Sequence, residues 1–371
     1  MKNSPVIAFV IGTRPEAIKL APVIKIFKEC KSIHTIVLLT GQHKELVDEV
    51  NKSFEIKEDF NLNLMKEVQS LTHITCAALE GLRNFIIKNP INLLVVQGDT
   101  TSAFSACLAA FYENIPVAHI EAGLRTDNLN DPFPEELNRR LISQMAKIHF
   151  APTKKAVNNL NQSGVFENVY LTGNTVIDAL LFMTKRKKKS IFYDQIKGNK
   201  VIFVTVHRRE NWGRKLENIV EGLNRILNKY KNVKIILPMH PNKVVRKPIL
   251  DILGSNSRAI LAEPLAYDEL IATINECDFI LTDSGGIQEE APSLNKPVLI
   301  LRDTTERQEA IAFGTAKLIG TDPKVILAES ENLLFDNNKY NSMANSSNPF
   351  GDGKASERIL KYCLEFLKIS N

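Results

Sequence analysis

The feature that most constrains this 371-residue chain is a series of short, almost wholly apolar runs recurring along its length. Residues 6–11, 35–39, 93–96, 117–120, 148–151 and 169–171 form a first set. Residues 201–206, 233–237, 259–261, 279–281, 298–301 and 316–319 form a second. Between most of them lie stretches of helical period, such as Ile18, Pro22, Ile26 and Ile219, Leu223, Ile226, Leu227. A strand that is apolar at every position must be buried on both faces. Such strands alternating with helices predict parallel sheets covered on each side, an α/β fold. Two sets predict two doubly wound domains, in line with roughly 150 residues per domain. The join is expected near residues 172–189, which end in the basic run Lys185-Arg186-Lys187-Lys188-Lys189. That run reads as a solvated face. Residues 337–353, rich in Asn, Ser and Gly, read as a loop before a last helix over 355–367.

Composition narrows the function classes. With 44% hydrophobic and 24% charged residues, the chain can bury large cores, which excludes a collagen, a disordered tail or a disulfide scaffold. The net charge of +5 is too mild at this length to indicate nucleic acid, and it is compatible with an anionic small ligand. Cys30, Cys76, Cys107, Cys277 and Cys363 form no Cys-x-x-Cys pair, so neither a zinc cluster nor a dithiol redox site is signalled. Their odd number and wide spacing suit reduced thiols in a cytoplasm. The apolar run 6–11 leads into Gly12-Thr13-Arg14-Pro15 rather than a cleavage site. No run approaches the ~20 apolar residues of a membrane span. The expectation is a soluble cytoplasmic protein with no membrane or nucleic-acid partner.

In open α/β sheets, ligands sit beyond the carboxyl ends of strands, beside helix N-termini. After the first strand comes Gly12-Thr13-Arg14-Pro15-Glu16-Ala17-Ile18-Lys19. Pro15 suits the first helical position, free N–H groups there attract anions, and Arg14 and Lys19 add cations. A capped helix with surface charges is the plainer reading. After residues 279–281 comes Thr282-Asp283-Ser284-Gly285-Gly286-Ile287-Gln288-Glu289-Glu290. Ser284, Gly285 and Gly286 let backbone N–H groups approach a diphosphate, and Glu290 can accept from ribose hydroxyls. This is neither a P-loop nor a Gly-x-Gly-x-x-Gly fingerprint.

Three acids stand at strand ends or helix starts: Asp99, Glu121 and Glu135. Asp99 can cap the next helix, and Glu135 and Glu136 can pair with Arg139 and Arg140. Glu121 ends an apolar strand directly and is hardest to explain structurally. His207 ends the run 201–206 beside Arg208 and Arg209. Carboxylates and a histidine without a ligand cluster argue against a metal site. Without a Gly-x-Ser-x-Gly elbow, what remains is acid–base chemistry on an anionic ligand.

Eight segments together resemble a known family. They are Gly12 to Lys19, Gln97-Gly98-Asp99-Thr100-Thr101, His119-Ile120-Glu121-Ala122-Gly123-Leu124-Arg125 and Pro134-Glu135-Glu136-Leu137-Asn138-Arg139. The others are His207-Arg208-Arg209-Glu210-Asn211, Asp283 to Pro292, Arg302-Asp303-Thr304-Thr305-Glu306-Arg307 and Asn348-Pro349-Phe350-Gly351-Asp352-Gly353. In that order, from residue 12 to 353, they are similar to the non-hydrolysing UDP-N-acetylglucosamine 2-epimerases.

The resemblance implies two Rossmann-like domains facing a cleft, the glycosyltransferase B type. The expected domains are 1–175, with the C-terminal helix 355–371 packing back on it, and a nucleotide-binding domain 176–354. It implies an isomerase that interconverts UDP-N-acetylglucosamine and UDP-N-acetylmannosamine for polysaccharide biosynthesis, as a homodimer and without a cofactor or metal. UDP leaves carbon 1, a 2-acetamidoglucal forms, and UDP returns with the proton on the other face of carbon 2. Arg14, His207, Ser284, Gly285, Gly286 and Arg307 would serve the diphosphate, and Lys19 the sugar side. Asp99, Glu121, Glu135 and His207 are the catalytic candidates, with Asp99 or Glu121 favoured as base and Glu135 as a partner. Glu290 would hold the ribose, and Leu265, Tyr267 and Leu270 would wall the uracil.

This chain departs from the family at three positions. Gln308 stands where Pro is common. In the segments Gln42-His43-Lys44-Glu45 and Glu67-Val68-Gln69, which in many members bind a second, activating UDP-sugar, Glu45 replaces a usual Gln and Val68 a usual Arg. Weak or differently wired activation is the expectation. A sister epimerase for another UDP-2-acetamido sugar, a hydrolysing epimerase, a glycosyltransferase of the same fold and a non-catalytic nucleotide-sugar sensor are the alternatives.

Overall fold

The structure is a computed structural model that describes residues 4–41, 44–64, 70–126, 128–130 and 132–369. The chain divides into two units, Met1–Ala179 with Phe350–Asn371, and Leu180–Pro349.

The first unit alternates strand and helix. It runs β1 (Val6–Ile11), α1 (Arg14–Glu29), β2 (His34–Leu39), α2 (Lys44–Phe54), β3 (Phe60–Asn61), α3 (Leu71–Lys88) and β4 (Leu93–Gln97). It continues through α4 (Thr101–Tyr112), β5 (Val117–Ile120), α5 (Glu135–Met145), β6 (Ile148–Ala151), α6 (Lys154–Gln162) and β7 (Val169–Leu171). Helix α7 (Thr175–Thr184) spans the division between the units. The seven strands form one sheet in the order β3-β2-β1-β4-β5-β6-β7, parallel throughout. Central strands β1 and β4 are buried along almost their whole length, as a doubly covered parallel sheet requires. Ala8, Val10, Leu94 and Val96 on one face meet Leu82, Ala106 and Ala110 of α3 and α4. Phe9 points the other way and meets Phe27 of α1 edge to face, with ring centroids 5.0 Å apart.

The second unit runs α8 (Tyr193–Ile196), β8 (Lys200–Thr205), α9 (Arg214–Lys229), β9 (Val233–Pro238), α10 (Lys243–Leu253), β10 (Ala259–Ala262) and α11 (Tyr267–Glu276). It continues through β11 (Phe279–Thr282), α12 (Gly285–Glu290), β12 (Val298–Ile300), α13 (Gln308–Ala312), β13 (Ala316–Leu318), α14 (Pro323–Phe335) and α15 (Asn337–Ala344). Its six-stranded sheet has the order β10-β9-β8-β11-β12-β13, again parallel. The apolar stripe of α9 (Leu216, Ile219, Val220, Leu223, Ile226, Leu227) packs on Ile202, Val204, Ile235 and Leu237 of the sheet. The basic run is partnered: Lys188 pairs with Asp268 and Glu269, and Lys189 lies 4.5 Å from the Tyr193 ring centroid.

The final helix α16 (Ala355–Phe366) belongs to the first unit, where it packs on α1. Its own N-cap, Lys354, makes no side-chain cap bond. Asp178 of α7 replaces it, accepting from Ala355 N at 3.3 Å and Ser356 N at 2.8 Å. Tyr362 of α16 stacks on Tyr170 of β7 with centroids 3.8 Å apart.

The predicted strands all form, with ends moved by one residue in several cases. Two expectations need correction. Strand β3 has no apolar run to announce it, because it is two residues at a sheet edge. The loop expected over 337–353 begins as helix α15, because Asp336 accepts from Asn338 N and Lys339 N and so caps a polar sequence.

Candidate active site

In the first unit, the turns after β1, β4 and β5 bring the candidate acids and cations together. Thr13 is the N-cap of α1, so Pro15 takes the second helical position. Glu16 turns back into the turn, and its Oε2 accepts from Gly12 N at 2.8 Å and Thr13 N at 2.5 Å. This capping box occupies amides that the sequence reading left open to an anion. Thr100 Oγ1 also donates to Glu16, at 2.5 Å. Burial raises the Glu16 carboxyl above its ordinary range, against these hydrogen bonds. Gly12 is required by close approach, since a Cβ there would lie 2.5 Å from Ser102 Cβ. Arg14 opens α1 half-buried.

Lys19, on the second turn of α1, reaches Glu121 with Nζ 2.6 Å from Oε1 and 2.7 Å from Oε2. Gln97, the last residue of β4, donates from Nε2 to Glu121 Oε2. Glu121 itself has φ of 64°, a left-handed conformation that a residue with a Cβ adopts only when its surroundings hold it there. Asp99 follows the tight turn at Gly98, whose φ is 70°. The cap of α4 is Thr100, which accepts from Ala103 N, so the capping reading of Asp99 is set aside. Arg139 donates from Nε to Asp99 Oδ2 at 3.0 Å, and its Nη2 lies 2.7 Å from the same oxygen. Asn138 donates from Nδ2 to the Asp99 carbonyl at 2.9 Å. Burial pushes the Asp99 carboxyl up, Arg139 opposes it, and the charge of Glu121 adds to it.

Glu135 is the first residue of α5 and half-buried, and no ion pair to it occurs among the described residues. Its neighbour Glu136 makes the contacts foreseen for both. Fully buried, it accepts from Thr126 N at 3.0 Å, Arg139 Nη1 at 3.1 Å and Arg140 Nε at 2.7 Å. Beneath these groups, His119 of β5 is fully buried and its Nε2 lies 2.7 Å from the Gly98 carbonyl, to which it donates. Burial holds its pKa down at about 3, so the ring is neutral.

In the second unit, His207 lies just past β8. The fully buried Asp283 fixes this turn, accepting from His207 N at 3.0 Å, Arg208 N at 2.9 Å and Asn211 Nδ2 at 3.0 Å. The His207 ring has Nδ1 3.5 Å from Asp283 Oδ1 and stacks beside His240, with centroids 6.4 Å apart. Burial lowers the His207 pKa, with Arg208 and His240 acting in the same sense and Asp283 against it.

Ser284 precedes α12, and Gly285 and Gly286 are its first residues, where no earlier helical carbonyl exists to accept their N–H groups. A Cβ on Gly285 would lie 2.9 Å from Arg307 Cζ, so glycine makes room for the guanidinium. Arg307 donates to Glu289 Oε1 at 2.9 Å and to Glu306. Burial disfavours charge on Glu306, but Arg307 and Arg302 outweigh it and hold its pKa at about 2. Tyr267, at the start of α11, donates from its hydroxyl to Glu290 Oε1 at 2.8 Å, and Leu265 and Leu270 flank it half-buried. Gln308 opens α13 and bonds back to the Thr305 carbonyl at 2.5 Å. Residues 42, 43 and 65–69, and the side chain of Glu45, lie outside the described residues, and so does Val68.

The sequence reading did not single out Glu16, Gln97, Asp283 or Glu306 for a role. The Thr13-x-x-Glu16 spacing is a capping-box signal that points to the first. The others need the tertiary fold. Among the described residues, no group of three or more His, Cys, Asp or Glu side chains is arranged to hold a metal ion.

Comparison with known proteins gives the family of the chain. Residues 25–364 match the family model described as UDP-N-acetylglucosamine 2-epimerase. The UDP-N-acetylglucosamine 2-epimerase of Bacillus subtilis strain 168 is 45% identical over 356 residues, 96% of this chain and 94% of that protein. The crystal structure of UDP-GlcNAc 2-epimerase from Neisseria meningitidis bound to UDP-GlcNAc is 45% identical and superposes with a TM-score of 0.89, covering 97% of this chain and 100% of that one. The S. aureus MnaA–UDP structure is 42% identical with a TM-score of 0.90, covering 99% of this chain and 98% of that one. With its two parallel Rossmann-like sheets, the chain belongs to the UDP-N-acetylglucosamine 2-epimerase family.

Proposed function

We propose that this chain is a non-hydrolysing UDP-N-acetylglucosamine 2-epimerase that inverts carbon 2 by eliminating UDP and adding it back. The observation that carries the reading is the pair of acids at the ends of adjacent strands β4 and β5, each held by its own cation: Asp99 by Arg139, and Glu121 by Lys19. Relatives whose names state this activity, and a relative solved with UDP-GlcNAc, support the choice of substrate.

The chemistry needs both groups. No carbonyl acidifies the hydrogen on carbon 2, so its direct removal is slow. Departure of UDP takes the electron pair of the bond from carbon 1 to the phosphate oxygen and leaves positive charge on carbon 1. Loss of the proton from carbon 2 then gives the 2-acetamidoglucal. UDP re-adds to carbon 1 as a proton arrives on the other face of carbon 2, and the atoms balance without an oxidant or a second substrate. Asp99 suits the base. Both Arg139 contacts fall on Oδ2, and burial raises its pKa toward the range where a carboxylate exchanges protons well. Glu121, with Glu135 as partner, serves the opposite face, and Lys19 keeps Glu121 oriented. In the second unit, His207, Ser284, Arg307 and the amides of Gly285 and Gly286 take up the charge of departing UDP. Glu290, fixed by Tyr267, holds the ribose, and Leu265 and Leu270 wall the uracil.

The same reading makes the protein a cytoplasmic homodimer that supplies precursors for polysaccharide synthesis. The test is incubation with UDP-N-acetylglucosamine in deuterium oxide, with no added cofactor. Deuterium at carbon 2 of both UDP-N-acetylglucosamine and UDP-N-acetylmannosamine is expected. Free N-acetylmannosamine would replace the reading with a hydrolysing epimerase. Unlabelled sugar transferred to an acceptor would replace it with a glycosyltransferase, and turnover of a different UDP-2-acetamido sugar with a sister epimerase.

A further inference from the structure

We infer that Gln97 and His119 form a reciprocal clamp across β4 and β5 that sets the position of Asp99 against Glu121. The inference deepens the reading above, because it concerns the same two acids.

Four observations carry it. First, the two residues work in opposite directions across one strand pair. Gln97, the last residue of β4, donates to the Glu121 carboxylate beyond β5. His119 of β5 donates from Nε2 to the Gly98 carbonyl beyond β4, one residue before Asp99. Each strand therefore anchors the acid of its neighbour. Second, both side chains are buried, Gln97 at 2% exposure and His119 at 0%, so neither is placed to meet a ligand as a surface group. Third, Glu121 adopts left-handed backbone, which a residue with a Cβ keeps only when its surroundings over-determine it. The backbone adds one bond, from Gly98 N to the Ile120 carbonyl at 2.9 Å, which ties the turns together without fixing either carboxylate.

Fourth, the carbonyl of Gly98 selects the proton-bearing nitrogen of His119. The ring must carry hydrogen on Nε2, and Nδ1 is buried with no hydrogen-bond partner. A buried polar atom without a partner costs stability. Leucine would fill the space without that cost, so the histidine is explained by the bond it donates. Gln97 and His119 are positioning residues, not catalytic ones, because they act through Glu121 and through the Gly98 turn.

The experiment uses the full-length chain and the variants Gln97→Met, His119→Leu and His119→Gln. Gln97→Met keeps length and removes the donor. His119→Leu removes the donor, and His119→Gln restores an amide N–H toward Gly98. For Gln97→Met and His119→Leu, kcat is expected to fall roughly 10- to 100-fold, the scale of a misplacement near 1 Å. KM and the Kd for UDP should stay within about twofold, because neither Gln97 nor His119 is among the residues assigned to the diphosphate. His119→Gln should recover most of the lost kcat, which separates lost positioning from a damaged core. Retention of kcat within about twofold in both donor-free variants, or parallel loss of UDP affinity, overturns the clamp.

Crystal structures of the variants give a readout independent of turnover. A rotated Glu121 carboxylate in Gln97→Met and a shifted Gly98–Asp99 turn in His119→Leu support the clamp, even if wild-type protein proves to act on another UDP-sugar. Unmoved groups in both variants refute it, even if wild-type protein epimerises UDP-N-acetylglucosamine.

Discussion

The six strands of the second unit follow the order of the first six of the first unit, yet the two units hold their first turns in opposite ways. In the first unit the turn after β1 is pinned by Glu16, which folds back from its own helix onto Gly12 N and Thr13 N. In the second the turn after β8 is pinned by Asp283, which reaches across from the end of β11 to His207 N and Arg208 N. Strand β11 holds the place in its sheet that β4 holds in the other. Asp283 and Asp99 thus follow corresponding strands. In the second unit the acid at that place is buried and taken up by two backbone donors and the Asn211 amide. In the first, Glu16 does the pinning, and Asp99 is left with contacts from Arg139 on one oxygen. A carboxylate becomes available for chemistry when another residue takes over the structural duty its place carries.

Exchange of the two aspartates gives the strongest test of this contrast. In Asp99→Asn, turnover is expected to fall roughly 10²–10⁴-fold, the scale of general acid–base catalysis, while UDP affinity and the unfolding midpoint hold. A loss of UDP binding as large as the loss of turnover breaks the division of labour. Next in size is Asp283→Ala. Removing its carboxylate strands buried donors at His207 N, Arg208 N and Asn211, and stability in urea should drop by about 3 kcal/mol. UDP affinity should fall with it, since the turn carries His207. An Asp283→Ala protein as stable as the parent would mean that the turn is held by other means.

The smallest effect concerns pH and sharpens the contrast between the interiors. His119 and His149 face each other in register in the first unit, and burial holds their pKa values at about 3 and about 4. The unfolded chain takes up protons near the ordinary value of about 6.5, so it binds more protons than the folded chain below that pH. Their contribution to stability is therefore lost as pH falls from about 6.5 toward 4, at up to about 1.4 kcal/mol per pH unit for each histidine. Raised carboxyls at Glu16, Asp99 and Asp178 act in the opposite sense, so the readout is the difference between parent and a His119→Gln, His149→Gln variant. That difference should shift in the variant's favour as the solution is acidified. A difference independent of pH would show that the histidines titrate alike in the folded and unfolded chains.

Much of this architecture can be read from the amino-acid order, for identifiable reasons. Strands such as β1 and β4 are apolar at every position because both faces are covered, and that pattern is local. The acids Asp99 and Glu121 are legible because they break apolar runs where ligands gather. The pins and clamps are not legible in the same way. Gln97 is one amide next to a glycine, and its partner stands 24 residues later, so only the pairing of β4 with β5 gives it meaning. Asp283 looks like part of a glycine-rich ligand loop, but its bonds run to a turn 76 residues earlier. Helix α15 escaped notice because its cap, Asp336, precedes a sequence with no apolar stripe to follow.

The tie between α7 and α16 sets the order in which the molecule can be completed on the ribosome. Asp178 waits for Ala355 and Ser356, which emerge only after all of Leu180–Pro349 has been synthesised. At the usual pace of translation that delay is on the order of 10 s or more. Throughout it, the surface of α1 that α16 will cover stands open on the nascent chain.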